Sequence, residues 1–311
     1  MGGRHRAPAP ARREARARLP RPGRPVLLRA GAGLACTAMI VTAAIAVGGD
    51  GDPAPPPQPA ATGTPGQRLQ AGFDALPLSV PTGVAIVPVG GGTPILLGDR
   101  PAQAAWSTIK APLALAAERD GHAGPTEERA VIDSDNRSAR VLTTRLGTPD
   151  ESVRKVTAVL REGGDERTVL PAPEGDEHPH LGDTVWSLTD SAVWTAHLPC
   201  LPGSDHVLDL MRRVSKVQNW GLKKISGHEV AVKGGWGEEA DGGYLVRQIG
   251  VLTLPDGGRV AIALSAHAPR MRFETGVADV GTVGRWLGQH LDVLPGGHCP
   301  AAATSQRGEP R

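Results

Sequence analysis

Strand patterns stand at both ends of this chain's patterned region, and helical patterns fill the middle. Val84 to Val89 (VAIVPV), Gly90-Gly91-Gly92-Thr93, and Pro94 to Leu97 read as strand, turn and strand. Apolar residues at helical spacing follow over 107–119, 137–146, 151–162, 188–197 and 205–214. Strand patterns return over His228 to Lys233, Gly243 to Leu254 and Arg259 to Ala266, the last two joined by the hairpin turn Pro255-Asp256-Gly257-Gly258. Thr275 to Leu294 closes as a helix. Terminal strands around a helical middle predict an α+β domain, one antiparallel sheet flanked by helices. No internal repeat is visible.

The hydrophobic fraction of 40% and mean hydropathy of −0.20 over 311 residues exclude a polytopic membrane protein. The net charge of +2 hides a split. Residues 1–29 carry nine Arg and one Glu, hence +8, which leaves −6 for the rest. The basic balance belongs to the tail, so a nucleic-acid-binding domain is not expected. Residues 30–47 (AGAGLACTAMIVTAAIAV) are 18 uncharged residues, about 27 Å as a helix against a hydrocarbon core of roughly 30 Å. Arginines on one side put the tail in the cytoplasm and the remainder outside. A single-pass anchor is the favoured reading. A cleaved signal using Ala44-Ile45-Ala46 would make the protein secreted, and a lipoprotein through Cys36 fits the flanking residues poorly. Residues 48–66 are Pro-rich and read as a linker, 67–296 as the globular unit and 297–311 as a C-terminal tail. Cys200 and Cys299 form an even pair in an oxidising compartment and are expected to bond, two free thiols being the alternative.

Three short motifs occur in order: Ser107-Thr108-Ile109-Lys110 at a helix start, Ser134-Asp135-Asn136, and Lys233-Gly234-Gly235 after a predicted strand. Residues i and i+3 of a helix share a face, so Ser107 and Lys110 meet. A serine hydroxyl attacks only once a base takes its proton, and lysine serves if burial or a second cation, here Lys233, lowers its pKa. Ser134 would relay a proton to a leaving nitrogen and Asn136 would hold a substrate amide. Lys233 would bind a carboxylate or assist the relay. The Trp236 N–H, after Gly235, would be a second oxyanion donor. S-x-x-K alone is weak, with about 0.2 chance matches in this composition. S-D-N is sharper: the chain has two Asn, and roughly 0.005 matches are expected by chance.

With these motifs the chain resembles the serine β-lactamase and penicillin-binding protein superfamily, nearest to class A β-lactamases, over about 75–296. AWSTIKAPLALAA resembles the family's nucleophile helix. Gly182-Asp183-Thr184 through Ser187-Leu188-Thr189-Asp190 resembles the helix opening after its Ω loop. WGLKKI and VAVKGGWG resemble the approach to its third strand and that strand. The resemblance implies a β-lactamase/transpeptidase-like fold and an exported serine hydrolase. It would act through a Ser107 acyl-enzyme on β-lactams or D-Ala-D-Ala-like peptidoglycan peptides, as a monomer and without cofactor or metal.

Three departures stand out. Ser107 and Ser134 are only 27 residues apart, so the helical lobe is trimmed. Gly234 stands where the family usually has a Thr or Ser hydroxyl. No E-x-x-L-N occurs in the Ω-loop region. In the register set by Gly164-Asp165, Thr168 and Leu170, Glu174 takes the place of the glutamate that positions the deacylating water, although a solvated loop acid is the favoured reading. Glu166 is a second candidate. The resemblance therefore also admits a homologue that hydrolyses poorly, or an inactive envelope module that binds peptidoglycan, β-lactams or a protein. Arg247 is a candidate for binding a substrate carboxylate, with a structural role equally open, and Trp106 and Trp236 flank the site. The run DEHPHLGD (176–183) reads as a polar loop rather than a metal site.

Overall fold

A computed structural model describes residues 63–301. The Arg-rich tail, the segment 30–47 with Cys36, residues 48–62 and residues 302–311 lie outside the described residues, and so do the anchor and signal expectations. Among the described residues no helix is long and apolar enough to cross a membrane.

Helix α1 (Pro65–Asp74) comes first. The Thr64 hydroxyl accepts from the Gln67 amide, and the Gln67 side chain accepts from the Thr64 amide at 2.8 Å. Thr-Pro-Gly-Gln is thus a capping box with proline in the first turn. The linker expected over 48–66 therefore ends at Thr64, a start signal that the proline-rich composition hides.

Strands β1 (Thr82–Pro88) and β2 (Ile95–Gly98) form the first hairpin, and the short β3 (Gln103–Ala104) leads into a 3-10 turn over Trp106–Ile109. The helical lobe is α2 (Lys110–Arg119), α3 (Pro125–Ile132), α4 (Asn136–Arg145) and α5 (Pro149–Glu162). Strand β4 (Val185–Trp186) pairs with β3, and α6 (Leu188–His197) and α7 (Ser204–Arg212) follow. Then come β5 (Val230–Glu238), β6 (Tyr244–Thr253), β7 (Arg259–His267) and α8 (Phe273–Gly288). The main sheet runs β2-β1-β7-β6-β5 and is antiparallel throughout, so β1 pairs with β7 from the far end of the chain.

Side-chain alternation splits the core into two layers. On β1 and β7, Ala85, Val87, Ala261 and Ala263 face the layer that holds α2 and α6. Val84, Ile86, Val260, Ile262 and Leu264 face the layer with α1 and α8. Helix α2 is buried without a break from Lys110 to Ala117, as expected of a helix enclosed by neighbours on all sides. That enclosure is what buries Lys110.

Other elements also differ from the sequence expectation. Helix α3 is short and was hidden beside the Gly124-Pro125 break. Helix α8 ends at Gly288, and a separate 3-10 turn, Leu291–Val293, occupies the expected end. Strand β5 continues past Lys233 through Gly-Gly-Trp-Gly, a run of low strand propensity, because β6 pairs it residue by residue to Glu238↔Tyr244. Cys200 and Cys299 are disulfide-bonded, with Cα atoms 5.3 Å apart. Gly297 bridges to Arg259, so the packed chain continues past residue 296 into the expected tail.

Candidate active site

The edge strand β5 seats the turn that carries Ser107. Residues two apart on a strand share a face, and here they are Gly235 and Gly237. A Cβ on Gly235 would stand 2.9 Å from the Ala105 carbonyl oxygen and the Thr108 amide; one on Gly237 would stand 2.1 Å from Trp106 Cη2. Only glycine admits so close an approach. Ser107 thus lies in a single 3-10 turn rather than in the regular helix expected from sequence, with Lys110 opening α2. At three residues per turn, i and i+3 fall on one face, so Ser107 and Lys110 share a side of the turn. Trp106 (φ 46°) and Ser134 (φ 58°) are both left-handed, a strained conformation for such residues that is held here by its surroundings and clusters at functional sites. Trp106 is fixed further by its indole N–H, which donates to Glu239 at 2.8 Å.

Two lysines meet at Ser134. Lys110 Nζ donates to the Ser134 carbonyl at 2.6 Å and to Asn136 Oδ1 at 2.7 Å. Lys233 Nζ donates to Ser134 Oγ at 3.0 Å, to Gln218 Oε1 at 2.6 Å and to the Gly234 carbonyl at 2.8 Å. Burial pushes Lys110 down to about 8; Asp135 opposes this shift and Arg140 adds to it. The cation expected to do so, Lys233, is instead itself held below lysine's usual range, by burial and then by Lys110. A neutral lysine has two N–H bonds and one lone pair. The two acceptors beside Lys110 take both N–H bonds, which leaves the lone pair free for a proton. The Ser107 hydroxyl has no hydrogen-bond partner among the described residues.

Gln218 was not singled out from sequence. It is buried and also accepts from the Gly234 amide at 2.8 Å. That amide points away from β6, toward the open edge of β5. Alternation puts the Trp236 amide on the same edge, facing the Ser107 turn. Two backbone donors, of Ser107 and Trp236, can therefore converge on one oxyanion.

A cavity of about 480 Å³ opens on this cluster. Ser107, Lys110, Ser134, Asn136, Trp106 and Trp236 line one wall, and the loop Asp176–Gly182 lines the other. The Ω-like segment before that loop is pinned by buried Asp165, whose carboxylate accepts from Trp186 Nε1 (2.7 Å) and the Thr168 amide (3.0 Å).

The chain matches no protein-family model and no curated protein sequence. Solved structures do match. The TLA-1 extended-spectrum β-lactamase superposes with a TM-score of 0.59 at 17% identity, covering 73% of this chain and 99% of that one. A class A β-lactamase from Bacteroides cellulosilyticus DSM 14838 gives 0.59 at 16% identity over 75% and 99%. PBP-A gives 0.56 at 22% identity over 74% and 96%. The chain has a β-lactamase/transpeptidase-like fold.

Within that fold several expected site residues stand apart from the cavity. Arg247 is 1% exposed. Its guanidinium donates to the carbonyls of Gln103, Ala104 and Trp186, each at 3.0 Å. It is a positioning residue under the β3–β4 ribbon that leads into the Ser107 turn, not a carboxylate ligand. Lys233, 0% exposed and surrounded at Nζ by Ser134 Oγ, Gln218 Oε1 and the Gly234 carbonyl, reaches substrate only through Ser134. Glu174 and Glu166 are exposed and line no part of the cavity. Glu174 forms one leg of a tight turn closed by the Glu177 amide on its carbonyl, which carries Asp176 and Glu177, and not Glu174, to the cavity wall. His178 bonds to the Gly147 carbonyl and His180 to Asp183, so the DEHPHLGD run forms two separate tethers.

Gly234 is dictated by packing. A Cβ there would lie 2.8 Å from Trp220 Cζ2 and 3.1 Å from Cη2. Restoring the family hydroxyl with Gly234→Thr is therefore expected to destabilise the protein by about 1–3 kcal/mol. A chemical denaturation midpoint checks this, and an unchanged midpoint would contradict the packing account.

Proposed function

We propose that this protein is an exported serine acyl-transfer hydrolase that forms a Ser107 acyl-enzyme with β-lactams or D-Ala-D-Ala-like amides. The observation that carries the reading is the buried Lys110 Nζ, held by the Ser134 carbonyl and Asn136, one turn from a serine hydroxyl without a hydrogen-bond partner among the described residues. Ser107 Oγ attacks the carbonyl carbon and Lys110 takes its proton. The amides of Ser107 and Trp236 receive the oxyanion. As the C–N bond breaks, Ser134 passes its proton to the departing nitrogen, and the Lys233 contact at its oxygen orients that hydroxyl. The oxygen of Asn136 is held by Lys110, which leaves its NH₂ for a substrate carbonyl. A point mutant of PBP-A, 22% identical, has been solved as an acyl-enzyme complex with penicillin G, which supports extending the chemistry to this chain.

Turnover of the acyl-enzyme is slow in this reading, because Glu174 is outside the cavity. Asp176 and Glu177 are the two carboxylates on the cavity wall, and in this reading the longer Glu177 assists the water. Glu174→Gln is expected to leave deacylation unchanged, while Glu177→Gln slows it by about 10²-fold. Single-turnover decay of the adduct measures both, and the reverse pattern would restore Glu174 to the role. Export is supported by residues 30–47 behind nine arginines, which would hold the protein to the membrane, and by the Cys200–Cys299 bond.

The test is to mix the purified protein with labelled penicillin, denature it, and follow both retained label and drug loss. The reading predicts label that survives denaturation, with slow drug loss. Neither label nor loss would contradict it.

A further inference from the structure

A second polar cluster lies about 12 Å along α2 from Lys110, at 1.5 Å per residue. Glu118 from α2, Glu127 from α3 and His206 from α7 meet there. His206 Nδ1 is 2.8 Å from Glu118 Oε2 and 3.4 Å from Glu127 Oε2. One ligand atom from each of the three lies within 4.8 Å of the other two. Glu127 is fully buried; its Oε2 accepts from the Gly124 amide at 3.3 Å, while its Oε1 has no hydrogen-bond partner. A buried carboxylate oxygen left without a partner is costly. No lysine or arginine among the described residues pairs with either glutamate, so one imidazole is the sole balance for two carboxylates.

We propose that Glu118, Glu127 and His206 form a binding site for a divalent transition-metal cation of the zinc type. Imidazole nitrogen with carboxylate oxygens is a donor set zinc accepts, and three protein ligands leave one position for water. Glu118 and His206 are partly exposed, which gives the ion a path from solvent. Calcium and magnesium fit poorly, since they favour six or more oxygen donors. The ion would clamp α2, which carries Lys110, to α3, which leads into Ser134, and both to α7. The competing occupant is a proton shared by the two glutamates. Burial first, and then Glu118, push the Glu127 carboxyl up to about 7.

The test uses the full-length protein, stripped with a chelator, then titrated with zinc chloride by calorimetry and thermal melting. The proposal predicts saturable uptake of about one zinc per chain with a raised Tm, and no response to magnesium. Glu127→Gln and His206→Ala should each weaken uptake by more than about 10-fold, the loss seen even for residues behind a metal's ligands. Circular dichroism checks that each variant is folded. Absence of saturable uptake in the wild type would overturn the proposal. So would wild-type affinity in both variants, or a Glu127→Gln protein that melts higher than wild type while neither binds zinc.

Discussion

Lys110→Ala is expected to slow acylation by about 10²- to 10⁴-fold, the span of general-base contributions. The size follows from the geometry at Nζ. The Ser134 carbonyl and Asn136 Oδ1 absorb the two N–H bonds of the neutral amine, and Lys110 lies one turn from Ser107. Only the neutral form works, and the group titrates at about 8. In the wild type the acylation rate should therefore rise as pH increases through about 8 and fall below it as Lys110 gains its proton. Lys110→Ala should lose that inflection. Lys110→Arg should not restore the rate, because a guanidinium stays protonated at these pH values. Stopped-flow acylation across pH gives both readouts. A wild-type rate with the same inflection in Lys110→Ala would place the base elsewhere.

Arg247→Ala is expected to cost about 3 kcal/mol of stability, in line with removing a buried charged donor from several acceptors. Three carbonyls, of Gln103, Ala104 and Trp186, lose their common partner. Those carbonyls belong to the β3–β4 ribbon just ahead of the Ser107 turn, so acylation should fall as well. The effect should be the same for substrates with and without a carboxylate, because the guanidinium touches neither. Arg247→Lys should recover only part of the loss: Nη1 alone meets all three carbonyls, and an ammonium on a different stem must reach that point without the rigid planar group that fixes it there. Urea midpoints and a pair of substrates decide the matter. Unchanged stability with a selective loss of the carboxylate-bearing substrate would return Arg247 to substrate binding.

Much of the fold was legible because its strands are short apolar runs bounded by turn residues. Val84, Ile86, Val260 and Ile262 pack into one layer and their alanine neighbours into the other, so both faces of the sheet are buried and the runs are continuously apolar. What composition obscured was local. Thr64-Pro65 looked like more proline-rich linker, although it caps α1. Gly234 to Gly237 looked like a strand's end, although β6 pairs with all of it. At the site, Ser107, Lys110, Ser134, Asn136 and Lys233 lie in three short motifs, and their residue types announced the chemistry. Gln218 carried no motif: its role depends on a buried contact with Lys233 across 15 residues of chain. The recurrence of glycine at 235 and 237, two apart on one strand face, is the sequence signal for the close seat beneath Ser107. Arg247 was ambiguous because a strand arginine near the third motif can point to either end of its neighbour. Burial decides that, and burial of one side chain is a tertiary property. Glu174 followed from register alone, which a two-residue turn is enough to defeat.

The most direct measurement is the location of the covalent adduct. Wild-type protein and Ser107→Ala would each be treated with penicillin G, digested, and the modified peptide identified by mass spectrometry. The account predicts an adduct on the peptide containing Ser107 in the wild type and none in Ser107→Ala. An adduct on any other residue, or one retained in Ser107→Ala, would contradict it.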